Sequence, residues 1–212
     1  MEFCDEKSVL KYFREDGKNR LPNKSNLLGA QRLAGGALNY TYRLRFEDGK
    51  TLIVKYFANH MAHGDNVELP QERYYTEKNA LKLIGAQECF KDSWIRTTRL
   101  VDAFDDLFML VIEDCGQNLI NASEILKKDF VLPGTAHLSE MEKKEAIHQF
   151  VAKFAKAVKD FDHMLKHEVK IKPDTHWEEF KNEAYWTVIN KGFQAMIPFI
   201  LNRFNLNEEM AP

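Results

Sequence analysis

The sequence predicts an α+β fold, in which an antiparallel sheet with one inserted helix is followed by a helical region. Two runs of alternating apolar and polar residues flank Asp48-Gly49, and Asp-Gly between such runs is a strong hairpin signal. A helical pattern at 70–85 follows the hairpin and precedes two more short apolar runs. From Ser139 onward, apolar residues recur every three or four positions, as they do on one face of a long helix.

In chain order, the first half begins with a helix at 5–16 that carries Val9, Leu10 and Phe13 on one face. The helix at 70–85 is expected to close at Gly85, since glycine is common where helices end. The strands are predicted near 27–34, on both sides of a turn at 47–50, and at 95–101 and 107–112, with the acidic stretch 102–106 as the last turn. Five strands with one helix after the third make an α+β lobe.

The second half is expected to be entirely helical. Ser139 and Glu142 have the spacing of a capping box, which marks a helix start. Pro173 interrupts the helical pattern, and a further helical stretch is predicted over 175–205. The apolar face of the long helix is expected to be buried and comprises Ile147, Phe150, Val151, Phe154, Val158, Phe161 and Leu165. We therefore divide the chain into 1–116 and 117–212.

Composition excludes several classes of partner and site. The net charge is −2 and there is no polybasic run, so neither nucleic acid nor an anionic membrane is an expected partner. No signal peptide and no apolar run long enough to span a membrane is visible. The three scattered cysteines are expected to be reduced thiols of a cytoplasmic protein. His60 and His63 are expected to be exposed loop residues, because nothing nearby completes a metal site.

Residues 33–57 suggest a phosphate-binding arrangement. The pair Gly35-Gly36 allows backbone N–H groups to approach a phosphate closely, and Lys55 on a following strand supplies a positive charge. If it is buried, Lys55 needs a carboxylate partner, and both Glu72 and Glu77 on the next helix are available. Each feature alone is more often a tight turn, a solvated lysine or a surface carboxylate. Only their order and spacing favour a nucleotide site.

Four motifs in register are similar to the N-terminal lobe of the aminoglycoside phosphotransferase and choline kinase-like superfamily, whose fold is protein kinase-like and which includes methylthioribose kinases. The first two are GGALNYTYR, with Gly35, Gly36, Asn39, Tyr42 and Arg43, and LIVK, which ends in Lys55. The other two are RYYTEKNAL, with Arg73, Glu77, Ala80 and Leu81, and the apolar strand that ends in Ile112-Glu113-Asp114-Cys115-Gly116. The resemblance covers residues 27–116 well and the remainder loosely.

The resemblance implies that this lobe binds ATP, as the nucleotide-binding part of a kinase that phosphorylates a hydroxyl group of a small molecule. It implies that Lys55 holds the phosphates, and it selects Glu77 over Glu72 as the partner that orients Lys55. Residues from Gly35 to Asn39 would cover the phosphates. The backbone of the segment made by Glu113, Asp114 and Cys115 would bind adenine as the hinge. Complete members of the family also bind magnesium.

The stretch HGDN at 63–66 resembles the family's catalytic loop, H-G-D-x-x-x-x-N, but it does not fit. Pro70 stands where the magnesium-binding Asn would be, and the stretch lies before the helix of Glu77 rather than after the hinge. No other such loop and no later metal-binding Asp is visible, so we name no catalytic residue and no metal ligand. We expect this chain, as a C-terminally incomplete family member, to be inactive alone.

Two alternatives remain open. The chain could be a non-catalytic, pseudokinase-like module that acts through protein contacts. The apolar residues of 176–205 would then offer a surface for self-association or for a protein partner. The chain could also be an unrelated α+β protein that carries the motifs by chance. That reading fails if Lys55 and Glu77 lie within ion-pair distance under the Gly35-Gly36 turn. The phosphoryl acceptor cannot be identified from the sequence.

Overall fold

The computed structural model describes residues 2–34, 38–63, 68–90, 95–116, 132 and 134–171. It divides into two compact units. The first consists of Met1–Gly116 together with Lys166–Phe180, and the second consists of Gln117–Leu165 together with Lys181–Pro212.

Helix α1 spans Glu6–Arg14. Asp5 caps it, because its carboxylate accepts a hydrogen bond of 2.7 Å from the backbone N–H of Ser8. Val9, Tyr12 and Phe13 are buried on one face of the helix and join the aromatic core of the first unit. The predicted helix at 5–16 is therefore confirmed.

The five predicted strands form one antiparallel sheet. Strands β1 (Leu27–Arg32), β2 (Tyr40–Phe46), β3 (Thr51–Tyr56), β4 (Leu100–Phe104) and β5 (Met109–Glu113) lie in the order β1-β2-β3-β5-β4. The predicted hairpin joins β2 to β3. Gly49 has a φ of 79°, a conformation that glycine adopts without strain, and Phe46 exchanges hydrogen bonds with Lys50 and Gly49 across the turn. The α+β class and the antiparallel sheet are confirmed.

Strand β4 is displaced from its predicted position at 95–101 and begins at Leu100. The stretch 102–106 is only partly a turn, because Phe104 is buried in the core and pairs with Met109 of β5. The chain reverses at 105–108 instead, where Phe108 has a left-handed φ of 47°. The acidic composition of this stretch predicts a turn, but burial of Phe104 keeps the segment in the sheet.

Helix α2 spans Arg73–Gly85 and packs on β4 and β5. It ends at the predicted residue, but Ala86 after it has right-handed backbone angles, so no left-handed glycine cap is present there. The buried side chain of Gln87 serves this end instead. Its amide nitrogen donates to the carbonyls of Leu83 and Lys170, at 3.0 and 3.2 Å, and its oxygen accepts from the N–H of Lys170 at 2.7 Å. The first unit therefore includes a contact with the segment that begins at Lys166.

Helix α3 spans Glu140–His167. The predicted capping box is confirmed, since Glu142 accepts from the backbone N–H of Ser139 at 2.8 Å and from its hydroxyl at 2.6 Å. The expected burial of its apolar face is wrong in part, because Phe154, Val158 and Leu165 are exposed and only Met164 of the helix is buried. The helix predicted over 175–205 and the partner surface at 176–205 lie outside the described residues.

None of the helices within the described ranges is long and apolar enough to cross a membrane.

Candidate functional site

Lys55 and Glu77 form the centre of the candidate site. Lys55 lies in β3 between Thr41 of β2 and Leu110 of β5, and Glu77 lies in the second turn of α2. The lysine Nζ is 2.6 Å from one carboxylate oxygen of Glu77 and 2.7 Å from the other. The predicted choice of Glu77 over Glu72 is thus matched by the geometry of the pair. The role of the pair in nucleotide binding remains a prediction.

The ion pair is only partly shielded from water. The Lys55 side chain is 23% exposed and that of Glu77 is 32% exposed. The Nζ also lies 5.4 Å from the centre of the Phe57 ring, so an aromatic face flanks the charge. An ammonium group has three N–H donors, and Glu77 accepts two of them. The third N–H of Lys55 can therefore donate to an oxygen ligand on the solvent side.

Arg73, four residues before Glu77 on α2, joins the segments around the ion pair. It is buried, with 8% of its surface exposed. Its Nε donates to the side-chain oxygen of Asn39 at 3.1 Å, and its other donors bind carbonyl oxygens: Leu69 at 3.3 Å, Pro70 at 2.6 Å, Leu38 at 3.4 Å and Ala58 at 2.6 Å. Arg73 thereby fixes the start of β2, the chain after β3 and the loop before α2.

The family resemblance predicts that Asn39 helps to cover the phosphates, and the structure gives its side chain a contact of another kind. The side-chain oxygen accepts from the Arg73 guanidinium, so this oxygen is directed to α2. Gly35 and Gly36, which precede it, lie outside the described residues, as do Gly64, Asp65 and Asn66 of the HGDN stretch. The structure therefore tests only one part of the earlier condition: Lys55 and Glu77 lie within ion-pair distance. Their position relative to the glycine turn is not tested.

The predicted hinge residues follow β5, and their side chains bind within the protein. Asp114 is almost fully buried, with 3% of its side chain exposed, and it accepts two hydrogen bonds from Arg43, at 2.6 and 3.1 Å. Arg43 also donates to the Gly116 carbonyl at 3.0 Å. Glu113 pairs with the exposed Arg99, and the Cys115 sulfur lies 3.4 Å from the Thr98 hydroxyl.

The backbone of Glu113 also limits what the hinge can offer. Its N–H donates to the carbonyl of Arg99 at 2.9 Å, which extends the pairing of β4 and β5. This N–H is therefore already used and cannot bind adenine without a change in the sheet edge. Asp114 and Cys115 are the remaining predicted hinge residues whose backbone could serve that purpose.

The electrostatics of the site reflect these contacts. Burial alone would raise the pKa of Asp114, but hydrogen bonds from Arg43, the Gly116 N–H and Thr51 outweigh it and lower that pKa below its usual value. The pKa of Glu113 is lowered mainly by its hydrogen bonds from Arg99. The pKa of Arg73 is lowered by burial, while Glu77 and Glu72 act in the opposite direction.

His60 is not the exposed loop residue that the sequence suggests. It is half-buried, and its Nε2 lies 3.1 Å from the Tyr40 hydroxyl and 4.0 Å from the Cys4 sulfur. The side-chain oxygen of Asn59 lies 3.0 Å from the other ring nitrogen. His63, in contrast, is exposed, as predicted. Cys4, Cys89 and Cys115 are free thiols, and the described ranges contain no group of three or more His, Cys, Asp or Glu that could hold a metal ion.

Sequence motifs include Arg43 and Arg73 without indicating what they do. The acceptors of Arg73 are four backbone carbonyls and one amide, and backbone carbonyls leave no mark on a sequence. The pairing of Arg43 with Asp114 joins residues 71 positions apart, and its only sequence signal is the presence of opposite charges in two motifs of the same lobe.

No family model matches this chain, and no curated protein sequence is significantly similar to it.

Proposed function

We propose that the first unit is the ATP-binding lobe of a kinase-like phosphotransferase that acts on a hydroxyl group of a small molecule. The observation that carries this proposal is the ion pair between Lys55 and Glu77, which joins the central strand of a five-stranded antiparallel sheet to the helix that follows it. Glu77 orients the ammonium group and leaves one of its N–H donors for a phosphate oxygen. A cytoplasmic location, where ATP is available, belongs to the same proposal.

The residues around the pair fit a phosphate group. Lys55 offers a partly exposed ammonium group, and Arg73 adds a second positive charge on the same helix as Glu77. Bound ATP would supply the transferable phosphoryl group. The chain's own residues would hold the nucleotide, with Lys55 at the phosphates and the backbone of Asp114 and Cys115 at the base. We assign no magnesium ligand among the described residues.

The test is the stabilisation of the full chain by Mg·ATP, measured as the shift in melting temperature. At a concentration ten times the dissociation constant, a ligand stabilises the folded state by about 1.4 kcal/mol, which corresponds to about 3 to 6 °C for a chain of this size. We expect this shift in the wild type and its loss in Lys55→Met. The matched control is Lys50→Met, since Lys50 is an exposed lysine of the hairpin, and it should retain the shift.

Lys55→Met should itself remain folded. Because most of each side chain in the pair is buried, removal of the pair should cost about 1 to 3 kcal/mol, and circular dichroism verifies that the variant is folded. A wild-type shift that persists in Lys55→Met would show that Lys55 does not hold the nucleotide. No shift in any variant, together with no heat of binding in calorimetry, would overturn the nucleotide site and favour an interaction module.

A further inference from the structure

Among the described residues, no group of opposite charge contacts the guanidinium of Arg73. A guanidinium has five N–H donors, and all five of those in Arg73 are used. Every acceptor is a neutral oxygen, four of them from backbone carbonyls and one from the Asn39 amide. Buried charges are usually paired with an opposite charge, so a buried arginine whose hydrogen-bond acceptors are all neutral is an unusual arrangement.

Lys55, in contrast to Arg73, has a counter-charge in direct contact. Both oxygens of Glu77 contact its Nζ, so the lysine charge is neutralised at a distance of less than 3 Å. Lys55, Glu77 and Arg73 together carry one net positive charge, and among the described residues Arg73 is the member that no counter-charge contacts. Glu77 and the exposed Glu72 act on Arg73 through space and offset its charge in part.

Helix geometry places this charge near the ion pair. Arg73 and Glu77 are four residues apart on α2, so their side chains lie on the same face of the helix. Both are directed to the central strands: Glu77 to Lys55 of β3, and Arg73 to Asn39 before β2 and to Ala58 after β3. A charge held in this low-dielectric position is screened less by solvent than a surface charge.

We propose that Arg73 is a positioning residue that attracts the nucleotide phosphates without contacting them, through a charge that no carboxylate among the described residues contacts. Asn39 is then an amide rather than a carboxylate because a carboxylate there would neutralise this charge. This inference rests on the proposed nucleotide site and explains how that site would favour a polyphosphate while its lysine is already neutralised. The charge would favour a nucleotide that carries several phosphates over an uncharged nucleoside.

Asn39→Asp is the most direct test, because it places a carboxylate on the guanidinium with almost no change in shape. The new carboxylate can accept from Nε as the Asn39 amide does, so the fold should be kept. We expect the affinity for Mg·ATP to fall about tenfold, whereas the affinity for uncharged adenosine should not change. Asn19→Asp, at an exposed asparagine of the loop after α1, is the control for one added negative charge.

Two substitutions of Arg73 separate its charge from its hydrogen bonds. The carboxylate introduced by Asn39→Asp could also repel phosphate directly, so Arg73→Gln tests the same idea with no added negative charge. It should show the same selective loss for Mg·ATP over adenosine. Arg73→Lys keeps the charge but loses the fork of donors, so it should be destabilised without that selectivity. Circular dichroism and melting curves identify any variant that is not folded. If an Arg73 variant does not fold, Asn39→Asp still tests the inference.

The outcomes distinguish the inference from the proposal on which it rests. If the wild type binds neither Mg·ATP nor adenosine, the proposed function is overturned, and this inference with it. If the wild type binds Mg·ATP but Asn39→Asp and Arg73→Gln weaken Mg·ATP and adenosine equally, Arg73 has only a structural role. The nucleotide site would then stand and this inference alone would fail.

Discussion

The two faces of the five-stranded sheet are made by the same strands but from different chemistry. The face that packs on α1 is an aromatic and aliphatic core that includes Tyr42, Val54 and Met109, all fully buried. The face that packs on α2 has a small apolar cluster around Phe57, Tyr74 and Leu110, and it also carries the ion pairs of Lys55 and Arg43. Because residues alternate along a strand, one sheet can keep a stable core on one face and a set of oriented charges on the other.

The largest expected effect tests whether the α1 face contributes only to stability and not to nucleotide binding. Phe13 of α1 is 1% exposed and contacts the rings of Tyr12 and Phe104. We expect Phe13→Ala to lower the free energy of unfolding by about 3 to 5 kcal/mol, because it leaves a cavity in the core. Urea unfolding measures the loss. Any nucleotide affinity should be unchanged at a temperature where the variant is folded, and a fall in affinity there would break the distinction between the two faces.

The second effect concerns the buried charges of the α2 face. Asp114→Asn should lower the free energy of unfolding by about 3 kcal/mol, because it leaves Arg43 without a counter-charge in a site where both side chains are almost completely buried. Urea unfolding at neutral pH measures this. The control is Glu113→Gln, whose partner Arg99 is exposed, and which should change stability little. Equal losses in the two variants would contradict the assignment of Asp114 as a buried anchor.

The same pair predicts a pH dependence. The pKa of Asp114 is lower in the folded chain than its usual value near 4. Its contribution to stability is therefore fully present above that value, and it is lost as the pH falls through the lower, folded-state pKa. The wild type should lose stability on acidification below about pH 4 more steeply than Asp114→Asn. Parallel curves from unfolding at a series of pH values would contradict the prediction.

The smallest effect has the opposite sign and lies at the end of α2. An added methyl group at Gly85 would meet no atom within 4 Å, and the backbone there is not left-handed. Gly85→Ala should therefore raise the free energy of unfolding by about 0.4 to 1 kcal/mol. Gly49→Ala is the matched comparison, since Gly49 also has open space but a φ of 79°, and it should destabilise. Melting temperatures of the two variants should move in opposite directions.

The fold is more visible in the sequence than the site is. Alternation and the Asp48-Gly49 turn predict the sheet, and spacing on one face predicts α1 and α3, because these signals are local. The start of β4 is missed, since the burial of Phe104 depends on contacts with α1 that lie far away in the chain. The pair of Lys55 and Glu77 is found because a motif order joins them. The role of Arg73 is missed because its partners are mostly backbone carbonyls.

The bond between Gln87 and Lys170 has a consequence for the order in which the chain is made. The five strands and α2 all precede Gly116, whereas the backbone groups that complete the end of α2 belong to a residue about 50 positions later. At synthesis rates of about 5 to 20 residues per second, this interval lasts roughly 3 to 10 s on the ribosome. During those seconds the nascent sheet can form, but the last turn of the helix that carries Glu77 still lacks its partner. The C-terminal end of α2 is therefore completed only after Lys170 has been translated.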